Sequence, residues 1–416
     1  MTSKEKHEFA RKVYADAKAE QLRGFRTRMP DNKQGVEINM GGGVSYLAAI
    51  RRLTPTECSR LQTVPSDYEF VTSETQQYKC LGNGWNIETI KHIFGFLPKR
   101  LKEGGIKVLS LFDGMSGGQI ALKSLGFKVD LYLASEIDKY AIANTMHNFP
   151  KTVQLGSVTD VNVDDLVKRY GVPDIVIGGS PCQSFSFSGK MKGMSTKSGE
   201  EVFTLKRYLD LKAQGFAFEG QSYLFWEYMR ILEDLRKYNP DIYFFLENVK
   251  MLEKWERCLS HAIGVRGVHI NSALVSAQNR RRIYWTNIRT KTIQQEKLFS
   301  EAGEDDPFSW PNVVTDIPQP EDRNLFIKDI LQDEADEKYY LKDDTVKQLI
   351  DKTDKKKLVG YLLEPQVSVN DMVAYMDKRK EFDGLTRKEK AEIAEIAYSS
   401  EMERLKSIYH EGAKGV

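Results

Sequence analysis

The chain has 416 residues and is 41% hydrophobic, enough for a substantial core divided between two lobes. Its 61 basic and 59 acidic side chains leave a formal charge of +2, which excludes partner choice by bulk polyelectrolyte attraction. Any nucleic-acid affinity must come from local clusters such as Arg23, Arg26 and Arg28, or Arg280 to Arg282. Four cysteines (Cys58, Cys80, Cys182, Cys258) have neither a zinc nor a disulfide spacing, no apolar run would cross a bilayer, and the charged N-terminus lacks a signal-peptide core. A reducing, cytoplasmic setting is expected, with no metal.

In chain order, residues 1–24 have the pattern of a charged helix. The segments Arg51 to Gln62 and Gly82-Asn-Gly-Trp85 follow, the second leading into a helix that ends near Phe96. From Gly105 to about Asn287, short apolar runs alternate with helical patterns, the signature of βαβ units around a parallel sheet. Strands are predicted over 106–112, 129–134, 175–178, 242–246 and 282–287, and helices over 118–125, 138–148 and 224–237. Beyond Thr290 the chain is more polar and mixes acidic stretches (301–306, 333–337) with a lysine-rich one (352–357). A charged helix is predicted over 386–408, and there is no internal repeat.

Open sheets of this kind bind ligands beyond the carboxyl ends of their strands, where every chemistry-bearing segment is expected. Phe112-Asp-Gly-Met-Ser-Gly-Gly118 turns from a strand into a helix, and small residues there let the backbone approach a ligand. Such a turn alone is as readily a tight corner. Glu136, ending the second strand, can accept ribose hydroxyls, whereas Asp113 in the turn would repel a pyrophosphate. Cys182 lies in the polar loop Ser180-Pro-Cys-Gln-Ser-Phe-Ser186, whose amides can favour a thiolate and whose Pro181 stiffens the approach. A buried cysteine is otherwise more often structural. Glu247-Asn-Val249 ends another strand, where an ordinary glutamate would simply be exposed. In Gln278-Asn-Arg-Arg-Arg282, alternate positions share a strand face, so Arg280 and Arg282 can address one site while Arg281 points away.

Pro181-Cys-Gln183, Glu247-Asn-Val249 and the Gln278, Arg280, Arg282 spacing together resemble the DNA cytosine-5 methyltransferases, over roughly residues 51–287. The resemblance implies an α/β, Rossmann-like S-adenosylmethionine-dependent methyltransferase fold with a mostly parallel sheet and a smaller, irregular target-recognition lobe. It also implies a monomer acting on duplex DNA, prokaryotic or phage-encoded, and leaves a cognate restriction endonuclease open. The residues matching the cofactor site are Phe112, Asp113, Gly114, Ser116, Gly117, Glu136, Ile137, Ser157, Val158, Pro181, Asn83, Gly84 and Trp85. Trp85 reads equally as a core aromatic. Catalysis would use Cys182 as nucleophile toward ring carbon 6 and Glu247 at ring nitrogen 3. Arg282 would orient Glu247 or the base carbonyl, and Arg280 would reach the carbonyl and phosphate. Gln183, Ser186, Gln278 and Arg281 would face substrate DNA.

The target base would rotate out of the duplex, and residues 186–221, with Gly189, Gly193, Gly199, Lys190, Lys192 and Lys197, would cover it as a flexible lid. Two positions depart from the family. Ser116 stands where glycine is usual, and Ser157 where an aspartate commonly faces the adenine amino group, with Asp160 as a substitute. The family's closing segments come first here, so the resemblance implies a circularly permuted motif order. The expected division is 1–50 for the N-terminal part of the target-recognition lobe, 51–104 for permuted segments and linker, 105–298 for the catalytic core, and 299–416 for the rest of the lobe and a helical tail. Both ends would form one lobe. An RNA cytosine-5 methyltransferase of the same fold and an inactive DNA-binding homologue are the alternatives.

Overall fold

The computed structural model describes residues 3–27, 36–39, 45–48, 50–181, 194–294, 306–352 and 369–412. Seven short segments form its large sheet: β1 (Ile106–Leu111), β2 (Val129–Ser135), β3 (Val153–Gln154), β4 (Ile175–Gly179), β5 (Tyr243–Val249), β6 (Val268–Asn271) and β7 (Arg281–Thr286). Their spatial order is β3-β2-β1-β4-β5-β7-β6. The first five run parallel, whereas β7 is antiparallel to β5 and β6 to β7. Strands β1, β4 and β5 are buried on both faces, which is why they read as unbroken apolar runs.

The sheet is mostly parallel, as expected, and the antiparallel pairing of β6 and β7 follows from length. Only residues 272–280 join them, and a parallel crossover needs about a dozen or more. The reversal has a consequence for chemistry. The start of β7 lies beside the end of β5, with Arg282 opposite Val249 and Tyr284 opposite Glu247. The arginine segment therefore sits at an amino end, not the expected carboxyl end, yet on the same sheet edge. Pairing with β7 also extends β5 through Glu247 to Val249, beyond the predicted end at Leu246.

Alternation along the strands divides the core in two. Leu109, Leu111, Phe244 and Leu246 pack with Trp226, Tyr228, Trp255 and Trp285. Val108, Ile177 and Phe245 pack on the other face with Ile90, Phe94, Ile120 and Tyr284. Helices cover both faces, among them α1 (Ile87–Phe94), α2 (Gly117–Ser124), α3 (Lys139–Asn148), α4 (Val163–Tyr170), α5 (Leu205–Ala213), α6 (Phe225–Arg236) and α7 (Glu253–Ile263). Their starts are specified locally: Asn86 caps Thr89 N at 3.1 Å, Asp138 caps Tyr140 N at 2.9 Å, and Asn162 caps Asp165 N at 3.0 Å.

Residues 194–221 are not the open lid expected of them. Met194, Val202, Tyr208 and Leu211 are buried in the core. On α6, Glu227 is 0% exposed and accepts Tyr208 Oη at 2.5 Å, Lys212 Nζ at 2.5 Å and Arg230 Nε at 2.8 Å. A buried carboxylate persists only when paired. Two of these donors come from α5 and its immediate end, so the charge fastens the segment down.

The chain divides into two compact units, residues 55–331 and residues 1–54 with 332–416. In the second, helices Ser3–Thr27, Val369–Asp377 and Arg387–Gly412 share a core that includes Ala10, Val13, Met372, Met376 and Ala394, and Val36–Asn39 pairs antiparallel with Ser45–Ala48. The unit borders differ from the expected 50/51 and 298/299. Thr290–Thr292 pairs with Val313–Thr315, Arg323 reaches Glu88, and Arg60 donates to the carbonyls of Ile330 and Leu331, so residues through 331 belong with the sheet. Arg52 N donates to Tyr339 O, and Leu341 N to Ile50 O, which tie residues 50–54 to the other unit. No helix among the described residues is long and apolar enough to cross a membrane.

Gly178 tests the sheet packing. A Cβ there would stand 3.0 Å from the Leu111 carbonyl and 3.1 Å from the Tyr228 ring, whose hydroxyl is bonded to Phe245 O. Neither neighbour yields cheaply, so Gly178→Ala should destabilise by about 1–3 kcal/mol and lower the thermal midpoint. An unchanged melting curve would contradict this packing.

Candidate active site

Between β1 and α2 the backbone must reverse within residues 112–116, and three of these take positive φ: Phe112 (58°), Gly114 (57°) and Ser116 (61°). A Cβ at Gly114 would meet only open space, so the turn is bare where a ligand can approach. Ser116 takes a left-handed conformation that costs a non-glycine residue about 1–2 kcal/mol. Its hydroxyl compensates by donating to Asp113 Oδ2, while Tyr132 Oη donates to Asp113 Oδ1 at 2.8 Å. Burial pushes the Asp113 carboxyl up to about 6, against the opposing pull of these hydroxyls. Asp113 is thus tied to the turn itself.

Glu136 clips the same turn to the end of β2. Its Oε2 accepts Gly114 N at 2.8 Å, and its Oε1 accepts Ile137 N at 2.7 Å and Asp138 N at 2.8 Å. Its carboxylate oxygens have further acceptor capacity. Ser157 pairs its hydroxyl with Thr159 Oγ1 at 2.7 Å and so starts a short turn. Asp160 is exposed and lines a separate depression with Arg230, Asp234 and Lys237, not the cleft of the turn.

A cleft of about 630 Å³ runs from this turn to the edge formed by β5 and β7. There Glu247, 9% exposed, accepts Arg282 Nε on Oε1 at 2.9 Å and Trp85 Nε1 on Oε2 at 3.2 Å. The β5–β7 register sets Glu247 and Arg282 diagonally on one face, and alternation leaves Arg281 exposed on the other. Arg280 does not reach outward. Its Nη2 donates to Gly84 O at 2.9 Å, and both Nη atoms lie 3.4 Å from Gly82 O. Trp85 lines the cleft and also meets Phe245 edge-on at 5.2 Å. Asn248 donates to Ser180 O at 3.2 Å and Oγ at 3.0 Å, which fixes the residue two before Cys182.

One cleft therefore collects Phe112, Asp113, Gly114, Gly117, Glu136, Ile137, Ser157, Val158, Pro181, Asn83, Gly84, Trp85, Glu247, Arg280 and Arg282. Ser116 is buried beside it. Gln278 and Arg281 are not on its wall, and the Gln278 Oε1 is buried without a hydrogen-bond partner among the described residues. Cys182, Gln183 and Ser186 lie outside the described residues. Sequence patterns gave no sign of Lys79 and Asp138, which form a 2.5 Å ion pair on the cleft wall, or of Gln221 and Leu224, which also line it.

Residues 3–99 and 106–265 match the family model for C-5 cytosine-specific DNA methylase. The chain is 28% identical over 280 residues to the orphan methyltransferase M.Rho11sI of Bacillus phage rho11s, covering 61% of this chain and 48% of that protein. It is 29% identical over 287 residues to the orphan methyltransferase M.SPRI of Bacillus phage SPR, covering 64% and 58%. Against the DNA (cytosine-5)-methyltransferase DRM2 of Arabidopsis thaliana it is 32% identical over 174 residues, covering 39% and 24%. The chain thus spans only about half of the length of the phage proteins it matches. A crystal structure of a Spodoptera frugiperda DNMT2 variant aligns over 73% of this chain and 100% of that one, at 16% identity and a TM-score of 0.37, so the fold assignment stands on the strand order itself.

The Asp113 carboxyl makes the site sensitive to pH. Its folded-state pKa of about 6 lies above the ordinary 3.8, so the folded chain holds this proton more tightly. The stability it contributes is complete below about pH 4 and is lost as pH rises through about 6. Asp113→Asn removes the titration, so its thermal midpoint relative to the native chain should climb across that window. A difference that stays flat with pH would contradict a buried carboxyl.

Proposed function

The chain belongs to the C-5 cytosine-specific DNA methylase family, and from that premise we propose that it transfers a methyl group from S-adenosylmethionine to carbon 5 of a cytosine flipped out of a specific duplex DNA sequence. One observation carries this: a single cleft joins the Gly114–Glu136 turn to Glu247, held by Arg282 and Trp85, and its wall includes Pro181, which precedes Cys182 in the sequence.

The residues present suit the cofactor. Gly114 offers bare backbone, Glu136 has acceptor capacity for ribose hydroxyls, and Ile137, 71% exposed, offers an apolar face to a purine. When bound, S-adenosylmethionine supplies an electrophilic methyl group on a sulfonium. Carbon 5 of cytosine is a poor nucleophile until the ring is activated. Addition of the Cys182 thiolate at carbon 6 converts the ring into an enamine, which is covalent catalysis. Glu247 holds a proton at ring nitrogen 3, which stabilises that enamine, and Arg282 keeps the carboxyl aimed. After transfer, a base (a water is sufficient) removes the carbon 5 proton. Elimination then releases the Cys182 sulfur and restores the aromatic ring. Carbon 5 is shielded within a stacked duplex, so the base must rotate out.

DNA is favoured over RNA by the family match, to C-5 cytosine-specific DNA methylase, and by the likeness to the DNA (cytosine-5)-methyltransferase DRM2. Gly82–Trp85 precedes β1 in sequence yet lines the same cleft as the turn after β1, as a circularly permuted motif order would place it. Residues 1–54 with 332–416 would then form the target-recognition lobe of a cytoplasmic monomer.

The test uses labelled S-adenosylmethionine with duplex DNA and, separately, tRNA. Label is expected in duplex cytosine, and a 5-fluorocytosine duplex should trap a covalent adduct, because fluorine at carbon 5 blocks the final elimination. Cys182→Ala should abolish transfer while cofactor binding stays nearly unchanged; lost cofactor binding would mean that the nucleophile lies elsewhere. Glu247→Gln should slow turnover by about 10²–10⁴-fold with a modest effect on DNA affinity. Native-like turnover would remove Glu247 from its role.

A further inference from the structure

We propose that Trp85 is a positioning residue for Glu247, and that Arg280 acts through it. The inference rests on the function proposed above and deepens it. A lone donor at Oε1 would leave the Glu247 carboxyl free to turn about its broad terminal torsion. Arg282 occupies Oε1 at 2.9 Å, and the Trp85 indole N–H occupies Oε2 at 3.2 Å, so donors from two separate elements fix the carboxyl plane. The indole is itself held in place. Its ring meets Phe245 edge-on at 5.2 Å, and a Cβ on Gly117 would stand 3.5 Å from its Cε3. Gly179 completes the seat by lacking a side chain: a Cβ there would lie 2.9 Å from Trp85 Nε1 and 3.1 Å from Glu247 Oε2.

The backbone just before the ring is fastened too. Arg280 donates to Gly84 O at 2.9 Å, the carbonyl joined to the Trp85 nitrogen. Two arginines spaced two residues apart, one just before β7 and one at its start, thus serve one carboxylate by two routes. Arg282 holds it directly, and Arg280 holds the segment that carries its second donor. This replaces the expected reach of Arg280 to the base carbonyl and phosphate.

The test uses the full chain and three substitutions, two of them also combined. Trp85→Phe keeps an aromatic ring against Phe245 and Gly117 but removes the N–H. With saturating S-adenosylmethionine and unmethylated genomic DNA, kcat should fall about tenfold, the scale of one hydrogen bond to a charged group. The cofactor dissociation constant, read by calorimetry without DNA, should change less than about threefold. In a Glu247→Ala background, Trp85→Phe should cost nothing further. Arg280→Lys, lacking the planar fork, should lower kcat in the same pattern. A loss in Trp85→Phe that adds fully to that of Glu247→Ala, or one confined to the cofactor dissociation constant, overturns the positioning role and leaves Trp85 as cleft wall. A native chain that methylates no cytosine overturns the proposed function and this inference with it.

Discussion

The reversal of β7 against β5 sets a guanidinium beside a carboxylate, and the site is built outward from that pair. Had β7 run parallel, its first residues would lie at the opposite edge of the sheet, away from Glu247. The short link from β6 forbids that direction. The register then leaves no freedom: Val249 faces Arg282, so the guanidinium falls diagonally on Glu247 at 2.9 Å. A slip of one residue would send Arg282 to the far face and bring Arg281 inward.

Three of the carboxyl groups taken out of water in the sheet unit, those of Glu227, Asp113 and Glu247, are each handled differently. Glu227 meets three donors and acts as a fastener for residues 194–221. Its partner Arg230 also donates to the carbonyls of Val158 and Val161, so the same network reaches the wall of the cleft. Asp113 meets hydroxyls alone and is pushed up to about 6. Glu247 meets one cation and one neutral donor, and it is the one of the three that sits where the two strand ends open onto the cleft. Burial serves anchoring in the first case and turn geometry in the second. In the third it serves the proposed chemistry.

The parallel half of the fold was legible because β1, β4 and β5 are apolar on both faces and end in small or charged residues. The predicted helix over 138–148 was legible for a similar reason, since Asp138 caps it. Other parts carry no such signature. A two-residue strand such as β3 exists only through pairing with β2, and β6, Val-His-Ile-Asn, is too short to show a period. The lysines and glycines after Ser186 suggested a lid, but Met194, Val202, Tyr208 and Leu211 bury themselves in the core, and a buried glutamate on another helix cannot be seen as their partner from sequence spacing. In the site, residue types were legible and partners were not. Arg280 looked like a substrate contact because alternation puts it on the face of Arg282, while its bond to Gly84, nearly two hundred positions earlier, is a tertiary fact. Trp85 looked ambiguous because it has two neighbours to satisfy, a core ring and a carboxylate.

The central claim is that the Glu247 carboxyl, pinned by Arg282 and Trp85, is where the pyrimidine is held. A crystal structure of the chain trapped on a 5-fluorocytosine duplex measures this most directly. Ring nitrogen 3 should lie within hydrogen-bonding distance of Glu247, with the Arg282 contact intact. A base lodged outside this cleft, or a Glu247 side chain turned away from the ring, would contradict it.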